Sequence, residues 1–211
     1  MAATEQLIDS LTAKLEPVQP LRKPGLRAAL WSGFATLVIA LVGAIGGSAA
    51  DLTHAMTEAT FLVPLIGSWL TGVTAATAAF QVILPDRSRR WLWLPLAPVL
   101  LWGTGFAYTC LVNPGDILGS LALLPESACV MTIVATSAGL IAVLLPMLRR
   151  VKTLRPQLTA WLGCLAVAGF ADTAHLLVHT EQDSLIALTV NLVPTVILVV
   201  LGGLAGRRAV A

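Results

Sequence analysis

The side chains best equipped for chemistry are three histidines, three cysteines and the carboxylates beside them. Asp172, His175 and His179 are spaced i, i+3 and i+7, which places them on one face of a helix. Asp51, His54 and Glu58 repeat that spacing in a segment that must itself be helical for it to matter. Imidazoles with a carboxylate in this pattern can hold a divalent metal or change charge near neutral pH. They can equally satisfy one another and water at a polar boundary, since an Asp in an apolar helix needs a partner. Cys110 and Cys129 end one apolar run and open the next, so in an oxidising compartment they can pair or be modified, or stay as two helix-end thiols. Cys164, deep in another run, fits a small hydrophobe. No HExxH or CxxC pattern is present. Neither catalysis nor a cofactor is expected.

The elements that carry these residues are apolar and long. Six runs, at about 28–47, 59–84, 92–112, 128–148, 158–178 and 185–206, reach or approach the roughly 20 residues a helix needs to cross a bilayer. Hydrophobic residues make up 57% of the chain, charged residues only 11%, and mean hydropathy is +0.86. That balance leaves no room for a soluble catalytic domain. The expected fold is an all-α bundle of six transmembrane helices.

Cations fall at alternate ends of these runs. Lys14, Arg22, Lys23 and Arg27 precede the first, and Arg87, Arg89 and Arg90 join the second to the third. Arg149, Arg150, Lys152 and Arg155 join the fourth to the fifth, and Arg207 and Arg208 follow the sixth. By the positive-inside rule both termini are then cytoplasmic. Asp51, Glu58, Asp116, Glu126, Asp172, Glu181 and Asp183 collect at the other side, so a net charge of only +2 hides a strong sidedness. The first 20 residues lack an apolar core flanked by a cleavage site, so no cleaved leader is expected. Trp31, Trp91, Trp93 and Trp161 lie near the cytoplasmic ends, where amphipathic rings prefer to sit. Trp69 and Trp102 fall mid-span and must pack inside the bundle or face lipid. Pro64, Pro146 and Pro194 interrupt spans, and Gly43/Gly47 and Gly202/Gly206 have the spacing that lets membrane helices approach closely.

One segment outside the apolar runs is patterned for binding. Thr4 can cap a helix that must stop near Glu16, because Pro17 disfavours helix in the residue before it. Leu7, Leu11 and Leu15 fall at i, i+4 and i+8 with Ile8 beside them, a narrow apolar stripe. Glu5, Asp9, Lys14 and Glu16 lie off it. So short a helix is marginal alone in water. Its cover is either a groove on a partner protein, or lipid or its own bundle. Three acids and one lysine on the polar face argue against an anionic lipid surface. The proline-rich stretch from Pro17 to Pro24 is a stiff spacer. The domains are therefore 1–26, a cytoplasmic helix and linker, and 27–211, the membrane bundle.

The tail Leu7-Ile8-Asp9-Ser10-Leu11, followed by Pro17-Val18 and Leu21-Arg22-Lys23-Pro24, resembles the start of the NrsF family. The likeness continues through Pro85-Asp86-Arg87-Ser88-Arg89-Arg90-Trp91, Leu94-Pro95-Leu96-Ala97, Cys110, Cys129, Leu148-Arg149-Arg150 and His179-Thr180-Glu181-Gln182-Asp183-Ser184. These are six-span bacterial inner-membrane proteins, many known only as a domain of unknown function. Characterised members are anti-sigma factors that hold an extracytoplasmic-function sigma factor at the membrane. The resemblance implies that the N-terminal helix, through Leu7, Ile8, Leu11 and Leu15, grips such a sigma factor, with no direct contact to nucleic acid. It also implies that outer cysteines respond to envelope, metal or oxidative stress. The family pattern has His-Cys where this chain has His179-Thr180, so a sensor built on that thiol and Cys129 lacks one member. Cys110, Asp172, His175 and His179 are the remaining candidates. Two other function classes fit the residues. A small transporter or channel would use Asp172 and His175, and a thiol-exchange protein would need both Cys110 and Cys129.

Overall fold

A computed structural model describes residues 2–13, 22–112, 127–151, 153–180 and 194–205. Its helices are α1 (Ala2–Thr12), α2 (Pro24–Gly46), α3 (Ala49–Ala55), α4 (Ala59–Val82), α5 (Leu96–Val112), α6 (Ser127–Arg149), α7 (Pro156–Val178) and α8 (Pro194–Ala205), and no strand occurs among the described residues. Four of them, α2, α4, α6 from Val130 and α7, are long and apolar enough to cross a membrane. At 1.5 Å per residue, the 23 residues of α2 span about 35 Å against a hydrocarbon layer of about 30 Å. α5 is shorter, with 17 residues, and α8 is described only over Pro194–Ala205.

The surroundings of the bundle are legible on α2. Its inner face buries Ala28, Trp31, Ala35 and Ile39, while Leu30, Phe34, Leu37, Leu41 and Ile45 point outward and are exposed. A helix in water carries a polar outer face. Here the outer face is as apolar as the inner one, which is how a helix meets lipid.

α7 is the axis of the fold. It packs most extensively on α4, and also on α6 and α2, while α5 packs mainly on α4. Two glycines let α4 approach its neighbours backbone to backbone. A Cβ added at Gly169 would sit 2.6 Å from the Ser68 carbonyl oxygen and 2.8 Å from the Gly72 nitrogen. One at Gly67 would sit 2.7 Å from the Trp102 nitrogen on α5. The core beside these contacts is built on Trp31, Phe80, Leu140, Val167 and Phe170. Trp31 meets Phe170 edge-on, with ring centroids 5.5 Å apart.

Two expectations change. Trp31 belongs to the core, buried to 1% exposure, because it lies on the same face of α2 as Ala28 and Ala35 rather than on the lipid face. Trp93 and Trp161 are exposed as expected of interfacial rings. The third apolar run does not form one helix from residue 92. Arg89–Trp93 is a 3₁₀ turn, capped where the Arg90 N–H donates to Ser88 Oγ at 3.2 Å, and α5 begins only at Leu96. Pro95 sets the break because it has no N–H with which to continue a helix into α5, while Leu94 before it keeps helical backbone angles, φ −57° and ψ −44°. Pro64 and Pro146 lie within α4 and α6, whereas Pro194 is the first described residue of α8.

Candidate functional site

Two groups of residues stand apart from packing, one on α1 and one inside the bundle. On α1, Leu7, Ile8 and Leu11 are 58%, 54% and 60% exposed, and the helix packs extensively on no other described helix. Leu15 lies outside the described residues. The helix begins at Ala2, so Thr4 is inside it and is not its cap. Its described end is Thr12, short of Glu16, with Ala13 in a turn. There the hydroxyls fold back onto the final carbonyls: Ser10 Oγ donates to Leu7 O and Thr12 Oγ1 to Ile8 O, each at 2.9 Å. Such bonds compete with further helix, which is why Ser and Thr gather at helix ends. Glu5 sits in the first turn, where a negative charge is favoured by the helix dipole.

Inside the bundle a polar layer crosses α4, α5 and α7. Asp172 is 2% exposed and His175 3%. The Trp102 indole N–H donates to Asp172 Oδ2 at 2.9 Å. The mid-span tryptophan thus packs inside the bundle and supplies the partner that an Asp at this depth requires. The Asp172–His175 pairing suggested by the spacing is not the one formed. Asp172 Oδ1 and His175 Nδ1 are buried without a hydrogen-bond partner among the described residues. The His175 and His179 rings lie 4.9 Å apart, centroid to centroid, tilted by 46°. Beside them the hydroxyls of Ser68 and Thr173 are 2.9 Å apart, joining α4 to α7 at the glycine contact. The other mid-span tryptophan, Trp69, is partly exposed and donates its indole N–H to Thr36 Oγ1 at 3.1 Å.

Metal chemistry is not assembled among the described residues, where no three His, Cys, Asp or Glu side chains gather in a metal-binding cluster. Asp51 and His54 do lie on α3, but Glu58 follows that helix and stands at the start of α4. His54 Nδ1 and Glu58 Oε1 are 3.9 Å apart and both side chains are exposed, so the pair carries little energy. The side chains of Cys110 and Cys129 lie outside the described residues, which leaves their pairing open. Cys164 is half-buried on α7 against Gly202 of α8.

The ends of the bundle differ in charge. At one end Arg27, in the first turns of α2, is buried, donates to the Met147 carbonyl near the end of α6, and lies 5.0 Å over the Phe80 ring of α4. The last carbonyls of a helix lack internal partners and attract a cation, so Arg27 ties the element that follows the tail to two other helices. The 3₁₀ turn with Arg89 and Arg90 packs through Trp91 and Leu92 against Val82 and Leu158 at that same end. At the other end Ala55, Phe61 and Leu176 pack together, close to Asp51, Glu58 and His179 in sequence. Sequence reasoning missed the roles of Trp102 and Arg27. The signal for Trp102 was an indole N–H placed mid-span, where only another side chain can accept from it.

Set beside known proteins, the chain is similar over residues 11–211 to the family described as NrsF, negative regulator of sigma F. The match begins at Leu11, so Leu7 and Ile8 precede it. No curated protein and no solved structure matches the chain.

Proposed function

The chain belongs to the NrsF family, negative regulators of sigma F, and from that premise we propose that it is an inner-membrane anti-sigma factor gripping an extracytoplasmic-function sigma factor through α1. A regulator of this kind works by binding a sigma factor and not by catalysis. The observation that carries the reading is the exposed apolar stripe of Leu7, Ile8 and Leu11 on a helix that packs extensively on no other described helix. Burying the exposed half of each side chain gains about 1–2 kcal/mol. Three such gains offset the cost of ordering a short helix and still leave a useful affinity. In the sequence, Leu15 continues the same i, i+4 spacing.

In this reading residues 1–26 form the binding helix and its spacer, and residues 27–211 form the anchor. The anchor has six spans, with α5 and α8 as the third and sixth, and both termini are cytoplasmic. The cationic junctions at Arg27, Arg89–Arg90 and Arg149–Arg155 support that orientation. Release follows a stress signal at the outer end, where Cys110, Cys129, His175, His179 and Asp172 are the groups able to change state.

Replacing Leu7 or Leu11 with Asp puts a carboxylate into the desolvated contact at a cost of several kcal/mol. Each variant should insert normally yet fail to co-purify the sigma factor. Wild-type recovery of the sigma factor with both variants would mean that the stripe is not the binding face.

A further inference from the structure

Two cavities, of about 430 and about 160 Å³, lie between α6, α7 and α8. They share Ile141, Leu198 and Gly202 in their walls and so form one groove. Along α6 it runs from Ile133 to Leu148, about 22 Å at about 1.5 Å per residue, against about 15 Å of hydrocarbon in one leaflet. Ser137, Asp172 and Thr195 line only the larger cavity, and the wall is otherwise apolar. Val134, Ile197 and Leu201 line it too, yet are 54%, 50% and 60% exposed, so the groove opens sideways onto the face that meets lipid. At its other end the groove is lined by Leu148 and Ala160, and cations stand just beyond. Arg150 follows Leu148 by two residues, and Arg155 precedes Ala160 by five. Arg150 is exposed and Arg155 half-buried, and neither has a carboxylate partner among the described residues.

We propose that this groove seats an acyl chain of an anionic phospholipid, whose phosphate is held by Arg150 and Arg155. The wall decides the chain. Lining atoms that face a void lose their van der Waals partners, and a flexible chain entering from the open side restores them along the whole groove. The cations decide the head. A guanidinium matches a phosphate in bidentate geometry, and an anionic headgroup carries no ammonium of its own to compete for that phosphate. The inference needs the bundle to lie in a bilayer but does not need α1 to hold a sigma factor, so the two readings fail separately.

The test is native mass spectrometry of the full chain released from detergent micelles. The added lipids are dioleoyl phosphatidylglycerol, dioleoyl phosphatidylcholine and dihexanoyl phosphatidylglycerol. One dioleoyl phosphatidylglycerol should stay bound per chain, and dioleoyl phosphatidylcholine should bind about tenfold more weakly, a discrimination that two cations at an anionic headgroup can supply. The dihexanoyl lipid keeps the head but loses most of the chain, and should also bind more weakly. Arg150→Gln combined with Arg155→Gln should remove the preference for phosphatidylglycerol, while Arg149 and Lys152 keep that junction cationic and its side of the membrane unchanged. Ala138→Phe, which fills the groove from α6, should weaken both dioleoyl lipids and leaves the cations in place. Equal binding of the two dioleoyl lipids, or of the long-chain and short-chain phosphatidylglycerols, would overturn the assignment. So would a preference that survives the double arginine change, undiminished binding in Ala138→Phe, or no bound lipid at all.

Discussion

Gly169→Ala is the sharpest test of how the bundle is assembled. The new methyl carbon would lie 2.6 Å from Ser68 O, 2.8 Å from Gly72 N and 3.2 Å from Gly72 Cα, all of them backbone atoms of α4. Backbone cannot rotate aside as a side chain can. Ordinary contact needs about 3.5 Å, so α4 and α7 must separate by several tenths of an ångström. That separation also stretches the Ser68–Thr173 hydroxyl contact, now 2.9 Å. Overpacking of this kind costs about 1–3 kcal/mol, against which the better helix propensity of Ala returns up to about 1 kcal/mol. The net expectation is a loss of about 1–2 kcal/mol. Gly33 and Gly139 provide the control, because a Cβ at either meets nothing within 4 Å. Gly33→Ala and Gly139→Ala should be neutral or slightly stabilising. Unfolding of each variant in mixed micelles by denaturing detergent reads the difference directly. If Gly169→Ala proves no more destabilising than Gly33→Ala, the close approach of α4 and α7 is wrong.

Trp102→Phe leaves both oxygens of Asp172 without a partner and should cost about 1–3 kcal/mol of bundle stability in the same assay. Joined to Asp172→Leu it should cost less than the sum of the two single changes, and strict additivity would argue that the bond does not matter. Reporter fusions at residues 5, 88, 152 and 209 should read cytoplasmic and those at 52, 115 and 182 periplasmic; an outer reading at either terminus contradicts six spans. Cys129→Ser should blunt induction of the sigma factor's target genes without abolishing repression, because in the proposed reading repression needs only the tail and its anchor. If separate Cys110→Ser, Cys129→Ser and His175→Ala strains all respond like wild type, the signal enters elsewhere.

The four long helices were legible because apolar runs bounded by cations leave few alternatives, and α1 was legible because Leu7, Ile8 and Leu11 repeat with helical period. What was not legible is instructive. Arg27 read as one more tail cation. The structure instead gives Pro24 the first position of α2, where its fixed φ suits a helix start, and so carries Arg27 inside the bundle onto Met147 and Phe80. The partner of Asp172 was hidden for a different reason. Spacing along one helix advertises His175, but the indole that bonds it comes from α5, 70 residues away in sequence, and no periodicity encodes that pairing. Trp31 was misplaced because a tryptophan near a helix end suits an interface and a core equally well, and only the neighbouring Ala28 and Ala35 mark which face is turned inward.

A photo-crosslinking residue placed on α1 tests the central claim most directly, in the full chain co-expressed with the sigma factor. At position 11, on the Leu7–Leu11 stripe, it should capture the sigma factor, while at position 9, on the acidic face opposite, it should not. Capture from position 9 as efficient as from position 11, or none from position 11, would contradict the assignment of this stripe as the surface that restrains the sigma factor.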